Sequence, residues 1–323
     1  MLATIKPLLQ CSLDSYNAGK PFAVGAFNIN TMEQLQGIMK AAKDTQAPVV
    51  IQIGCIALKY AGGDYLLNII KAGLRENPQI PVAIHLDHGR NFDEIKKVIQ
   101  MGFTSVMIDG SLLEDGKTPS DFESNIKRTG DVVKYAHDYG VSVEGELGVI
   151  GGTEDGHGSK NAGLTDPDQA VEFVERTGID ALALSIGTAH GAHKFKGEAV
   201  IAFDLIKKVR LLLPTTYLVA HGSSSVSQEQ VAVINRFGGD LEQAKGVPFE
   251  VLKKMVECGI NKINVDTDIQ IAVTAAVRRF LAENPAAINP RDYLGVARQA
   301  INEVIKKRIE VFGSANQAGS VII

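Results

Sequence analysis

Three histidines of this chain stand directly before glycines, and each closes a short apolar run: His88 in His85-Leu86-Asp87-His88-Gly89, His190 in Ala189-His190-Gly191, and His221 in Ala220-His221-Gly222. A fourth run, Glu144-Gly145-Glu146-Leu147-Gly148, ends on carboxylates instead. Neutral imidazoles bind Zn²⁺ without cancelling its charge, so three of them leave a strong Lewis acid with an open coordination position. A lone histidine is more often a satisfied core or surface residue. Three of the seven histidines at three separate run ends make metal binding the better reading. Asp87 and His88 are adjacent, and in a regular strand they would point to opposite faces. Both reach one site only if the strand ends between them, a turn that Gly89 permits. A carboxylate there can transfer protons beside a metal-polarised carbonyl, or it can orient a histidine; the acid–base role is expected. Glu146 and Asp109 are open between metal ligand and supporting group. Glu144 shares the face of Glu146 but sits deeper, and no role is assigned to it.

Two glycine-rich segments accompany these residues. Gly151-Gly152-Thr153-Glu154-Asp155-Gly156-His157-Gly158 can close over a site and carry Glu154 into it, although acidic loops of this kind are usually solvated surface. Gly222-Ser223-Ser224-Ser225, together with Asp266-Thr267, has the backbone amides and hydroxyls of a phosphate cradle, a chemistry that needs no lysine.

To bring such residues together, the chain needs strands that end on one face. Eight β-rich runs alternate with helical periodicity: Phe22–Ile29, Pro48–Gly54, Val82–Asp87, Ser105–Gly110, Val141–Gly148, Ala181–Gly187, Tyr217–Gly222 and Lys262–Thr267. Runs such as Ala181-Leu182-Ala183-Leu184 are apolar throughout, as strands covered on both faces must be. Helices are expected over Met32–Thr45, Phe92–Met101, Asp166–Arg176 and Gln228–Arg236, capped by Thr31, Asn91, Thr165 and Ser227, with Ser227 and Gln230 spaced as a capping box. Further helices are expected over Pro248–Cys258 and Ile269–Glu283. Asn289-Pro290-Arg291 reads as a break before a last helix, Val296–Phe312. Thr4–Gly19 reads as an extra helix able to plug the far end of a barrel, and Gly313–Ile323 as a loosely held tail. The expectation is one α/β domain spanning 1–323, a (β/α)8 TIM barrel with an extra N-terminal helix and a C-terminal helical extension. Such barrels carry their chemistry at the C-terminal ends of the strands.

Bulk properties narrow the function classes. A net charge of −4 over 323 residues gives no electrostatic reason for nucleic acid or an anionic membrane as partner. No apolar run approaches the ~20 residues of a membrane helix, and the polar, interrupted N-terminus does not read as a signal peptide. Cys11, Cys55 and Cys258 are odd in number and widely spaced, which suits free thiols in a reducing compartment, so a cytoplasmic location is expected.

With these residues the chain resembles the class II, zinc-dependent fructose-bisphosphate aldolases. The matching segments are Ala26-Phe27-Asn28, His85 to Gly89, Glu144 to Gly152 with Glu154-Asp155-Gly156, Gly187 to Lys194, His221 to Ser224, Asn264 to Asp268, and Pro290-Arg291. They run from the first strand to beyond the eighth and are specific as an ordered set. The resemblance implies that His88, His190 and His221 hold the catalytic zinc, that Asp87 exchanges the proton of the C4 hydroxyl, and that Glu154 handles the proton at C3 of dihydroxyacetone phosphate. It implies Glu146 and Asp109 at a second or alternative divalent-metal site. Gly191, Gly222, Ser224, Asp266 and Thr267 would bind the phosphate, with a monovalent cation (Na⁺ or K⁺) nearby. Asn264 would contact the enediolate and Asn28 would position substrate. Arg291 would reach the distal phosphate in a neighbouring subunit, which implies a homodimer or homotetramer acting on a sugar bisphosphate.

The chain departs from the family pattern where Gly54 replaces a serine, Thr153 a second glutamate, Gln270 an arginine and Asn289 an aspartate. The near rival is tagatose-bisphosphate aldolase, whose substrate differs at C4. Asp266-Thr267-Asp268 favours the fructose enzyme by resemblance, and Gln270 pulls the other way. A metal-dependent hydrolase on the same barrel usually shows a His-x-His pair at the first strand, where this chain has Asn28-Ile29-Asn30. A non-catalytic sugar-phosphate binder would not need the complete metal and proton-transfer set. A Schiff-base aldolase finds no lysine in the C-terminal half of an expected strand.

Overall fold

The computed structural model describes residues 1–152, 163–193 and 200–323. Eight parallel strands close on themselves: Val24–Asn28, Val49–Gly54, Val82–Gly89, Ser105–Ile108, Ser142–Leu147, Ala181–Leu184, Tyr217–Ala220 and Lys262–Val265. Each pairs with its neighbours in sequence, and the eighth closes onto the first with Lys262 opposite Val24 and Asn264 opposite Ala26. The expected barrel is therefore present, and every expected strand lies where the sequence placed it. Most end one to three residues earlier, because the last residues of each run turn outward into the loops that carry the site.

The pleat explains the layering. Alternate residues point inward, and at the lower end these are Val24, Ala26, Val50, Ala83, Met107, Ala181, Ala183 and Val219. The helix Ile5–Asn17 covers that end by adding Ile5, Leu8, Leu9 and Leu13 to the same buried cluster, so the expected plug is present. Higher up, the inward positions turn polar: Asn28, Gln52, His85, Asp87, Asp109, Glu144, Glu146, His221, Asn264 and Asp266 are all buried. The opposite faces of the strands pack against the helices through residues such as Ile51, Ile84, Val106, Leu182, Leu218 and Ile263.

Local signals mostly act as the sequence suggests. Thr31 caps Met32–Thr45 with a full capping box to Gln34, and Ser227 accepts from the Gln230 amide. One cap is corrected. Asp166, not Thr165, caps the helix Pro167–Thr177, because Pro167 takes the first helical position and pushes the start one residue on. Thr165 instead ties two loops, its hydroxyl donating to Leu147 O at 2.6 Å and accepting from the Ser185 amide at 2.8 Å. The break at Asn289-Pro290-Arg291 is also corrected: the last helix begins there and runs Pro290–Phe312, with Asn289 as its cap. Nor is the tail loose. The Asn316 and Ala318 amides donate to Thr45 O and Gln46 O, both at 2.8 Å, and Val321 joins the cluster at the barrel's lower end. Among the described residues no helix is long and apolar enough to cross a membrane.

Candidate metal centre and proton-transfer site

The upper, polar layer of the barrel converges on a narrow cleft lined by Asn28, Asp87, His88, His190, His221, Gly222, Ser223, Ser224, Asn264 and Asp266. The three histidines arrive there by three different routes. His221 directly follows the seventh strand. His88 stays within the third strand, whose pairing with the fourth is irregular between Leu86 and Gly89. The turn there is made by His88 itself, with φ of +46°. This corrects the expected part of Gly89, which is needed for closeness instead: a Cβ on it would sit 2.5 Å from Met107 O. His190 lies well beyond its strand, which ends at Leu184. It belongs to a two-residue strand, Ala189–His190, paired with Gly151–Gly152.

The placement of the histidine ring nitrogens fits a metal ion. His88 Nε2 and His221 Nδ1 face each other at 3.0 Å. The other nitrogen of each ring is turned to a carboxylate: His221 Nε2 donates to Glu144 Oε1 at 2.7 Å, and His88 Nδ1 lies 3.4 Å from Asp109 Oδ2. With protons on those outer nitrogens, the two inner nitrogens share one small space, which a further proton on His88 fills in the metal-free protein and a metal ion can fill in its place. One donor atom from each of His88, His190 and His221 falls within 4.8 Å of the others, and all three residues are buried. Three neutral imidazoles with an approach from the cleft are the donor set of a catalytic zinc. A second group, His88 with Asp109 and Glu146, meets the same distance limit, so Glu146 and Asp109 gather around His88 and are grouped with neither His190 nor His221. Ser111 Oγ lies between the two carboxylates, 2.7 Å from Asp109 Oδ1 and 3.0 Å from Glu146 Oε1.

Electrostatics separate the carboxyl groups. Burial disfavours the charge on Asp87, but the imidazoles of His88 and His221 and the Lys262 ammonium outweigh it and hold the group below its ordinary range. Asn28 Nδ2 donates to Asp87 Oδ2 at 2.8 Å and Asn264 Nδ2 to Oδ1 at 3.3 Å, while Gln52 in turn donates to Asn28 at 2.9 Å. Asp87 is thus a fixed anion, equipped to accept a proton. Glu146 is pushed the other way, well above its usual value, by burial and by the neighbouring Asp109. At His88 burial works against the cation, yet the carboxylates of Asp87 and Asp109 prevail and raise its pKa to about 10.

Two residues that sequence reasoning left without a role complete the centre. Glu144 accepts from His221 on one oxygen and from Lys262 Nζ, at 2.8 Å, on the other. Its inward alternation with Glu146 was visible in the sequence; its partner across the barrel was not. Lys262 is fully buried at the N-terminal end of the eighth strand, below the cleft. Among the described residues it is the lysine that lies in a barrel strand, and its ion pair and depth do not suit a Schiff base. His85 occupies the same lower layer, where burial and Lys262 lower its pKa to about 3.

Of the remaining expected residues, Asn28, Gly222, Ser224, Asn264 and Asp266 line the cleft. Thr267 and Gly191 line an adjoining hollow with Gln270 and Arg278. Gln270 Nε2 donates to Asp266 Oδ2 at 2.6 Å, so this departure from the family pattern holds a cleft residue in place. Arg291 is exposed on the last helix, its amide and its Nε both bonded to Asn289 Oδ1 at 3.1 and 3.2 Å. Glu154 and Thr153 lie outside the described residues.

A sequence model described as fructose-bisphosphate aldolase class-II matches residues 13–317. The chain is 44% identical over 315 residues to the fructose-bisphosphate aldolase of Pseudomonas aeruginosa, covering 93% of this chain and 89% of the relative. To the fructose-bisphosphate aldolase of Xanthobacter flavus it is 44% identical over 335 residues, covering 99% and 93%. Among solved structures, the YdjI aldolase of Escherichia coli K12 superposes with a TM-score of 0.76 at 29% identity, covering 98% of this chain and all of that one. A structure titled as a putative fructose-1,6-biphosphate aldolase from Coccidioides immitis gives 0.78 at 24% identity, a likeness of fold.

Proposed function

The chain belongs to the class II fructose-bisphosphate aldolase family, whose members are zinc-dependent lyases, and on that premise we propose that it cleaves fructose 1,6-bisphosphate reversibly to dihydroxyacetone phosphate and glyceraldehyde 3-phosphate. The observation that carries the reading is the pair of facing imidazole nitrogens with Asp87 beside them, each outer ring nitrogen turned to a carboxylate. His88, His190 and His221 hold the zinc, which when bound supplies Lewis acidity toward the ketone oxygen of the substrate.

The chain's own residues do the rest. Asp87, kept ionised by its neighbours and oriented by the amides of Asn28 and Asn264, takes the proton of the C4 hydroxyl. That proton loss forms the aldehyde of one product as the C3–C4 bond breaks, and the bonding electrons remain with the dihydroxyacetone phosphate half. Glu154 returns a proton to C3. Asn264 contacts the developing oxyanion from the eighth strand, and Asn28 positions substrate from the first. The amides and hydroxyls around Gly191, Gly222, Ser224, Asp266 and Thr267 take the phosphate, with a monovalent cation, Na⁺ or K⁺, beside it. Asp109 and Glu146 serve a second divalent ion around His88. Arg291, exposed and held by Asn289, reaches the distal phosphate in an adjacent subunit of a homodimer or homotetramer. A cytoplasmic location suits a substrate of this class and three free cysteines.

A coupled assay on fructose and tagatose 1,6-bisphosphates, with and without chelator, tests the reading. Chelator-sensitive cleavage with preference for the fructose substrate is expected. Preference for tagatose bisphosphate overturns the substrate assignment, and chelator-resistant cleavage overturns the metal assignment.

A further inference from the structure

The segment Gly222–Ser225, read above as the phosphate cradle, is held from outside the barrel. At its end Val226 has a φ of +52°, a left-handed conformation that is costly for a β-branched residue and persists only where the surroundings enforce it. What enforces it is Asp268, in the first turn of the helix Thr267–Glu283. Its Oδ2 accepts from the Ser225 amide at 2.9 Å and its Oδ1 from the Val226 amide at 2.8 Å. The same Oδ2 accepts from Nε of Arg308 at 2.7 Å. Arg308 belongs to the last helix, Pro290–Phe312, which is not a barrel element, and its guanidinium lies 4.6 Å from the centre of the Phe249 ring. Asp268 is 1% exposed and Arg308 3%, so the pair is shielded from solvent and its geometry is over-determined. Among the described residues the Ser225 hydroxyl at the same turn is buried with no hydrogen-bond partner.

We propose that Asp268 and Arg308 are positioning residues for substrate phosphate. The carboxylate fixes the Ser225 and Val226 amides and so sets the turn that presents Gly222 and Ser224, while the Arg308 Nε bond keeps the carboxylate aimed. Neither residue touches the reacting atoms. The proposal rests on the reading of Gly222–Ser225 as the phosphate site, and it makes the last helix a determinant of substrate affinity rather than of the chemical step. Asp268→Asn keeps the size of the side chain but sets an amide NH₂ against a backbone N–H. Arg308→Lys keeps the charge and loses the directed Nε bond.

The test uses the zinc-loaded enzyme, with fructose 1,6-bisphosphate as substrate and inorganic phosphate as competitor. Asp268→Asn is expected to raise both KM and the inhibition constant of phosphate by roughly tenfold, the size expected for losing hydrogen bonds to a charged group. The expected change in kcat is less than about twofold, with zinc content unaltered, on the same grounds. Arg308→Lys should shift both constants in the same direction by less, and it carries the test alone if Asp268→Asn does not fold. Unshifted constants in a folded variant, or a loss of kcat with KM unchanged, overturn the positioning role. Failure of phosphate to compete in the unaltered enzyme instead overturns the phosphate site itself, and the proposal with it.

Discussion

Asp87 and His88 share one strand end yet do opposite electrostatic work, and the difference comes from what surrounds each. Asp87 is stabilised as an anion by two side-chain amides and nearby cationic groups. Replacing it by alanine should leave zinc content near normal while lowering kcat by ~10²–10⁴-fold, the usual loss on removing a general base; loss of metal together with activity would make it a structural partner of His88 instead. In the metal-free protein His88 is raised to about 10 and is therefore a cation near neutral pH. Zinc must displace that proton. Apparent zinc affinity should then rise by about tenfold per pH unit from neutrality and level off near pH 10, and calorimetry in buffers of different ionisation enthalpy should report roughly one proton released near neutral pH. No buffer dependence would show that the ring is already neutral.

Glu144 gives a linkage test at the same scale. Burial alone would raise its carboxyl, but Lys262 and His221 hold it well below the ordinary carboxylate range. A depressed folded value contributes stability that is full above the unfolded value of ~4.3 and is lost as pH falls. Glu144→Gln strands the buried Lys262 ammonium, so near neutral pH the variant should be less stable by about 3–5 kcal/mol. The gap should narrow below about pH 4, where Glu144 of the unfolded wild-type chain takes up a proton while the folded carboxyl stays ionised. A gap independent of pH in urea unfolding would assign the loss to packing.

At the scale of elements, the site depends on pieces that strand patterning does not announce. The eight strands and the His88 and His221 positions were legible because alternation and turn residues are local signals. The outlying strand of His190 was not, since two residues carry no period and the partner, Gly151–Gly152, is distant in sequence. The same limit hid the Glu144–Lys262 pair, which spans the barrel, and the docking of the tail, which depends on Thr45, Gln46 and the lower cluster. Gly152 links this small sheet to the metal centre: its φ is +86°, and a Cβ there would sit 2.4 Å from His190 O. Gly152→Ala should therefore displace His190 and weaken zinc binding in a chelator competition, while the barrel's far-ultraviolet circular dichroism stays unchanged. Unaltered zinc affinity would mean that His190 is held by other contacts.

Across the whole molecule, a single alternation of residues builds two opposed ends. Apolar inward side chains and the plug helix seal the lower end, and polar inward side chains open the upper one. The charged groups inside the barrel thereby share a buried layer in which the carboxylates have defined neighbours, and the His88, His190 and His221 donor atoms in it lie close enough together to hold one metal ion. The direct test is a titration of metal-free protein with Zn²⁺, followed by cleavage of fructose 1,6-bisphosphate. Activity should be absent at the start, rise linearly and break at one zinc per chain; full cleavage by metal-free protein, or borohydride trapping of substrate on a lysine, would contradict the account.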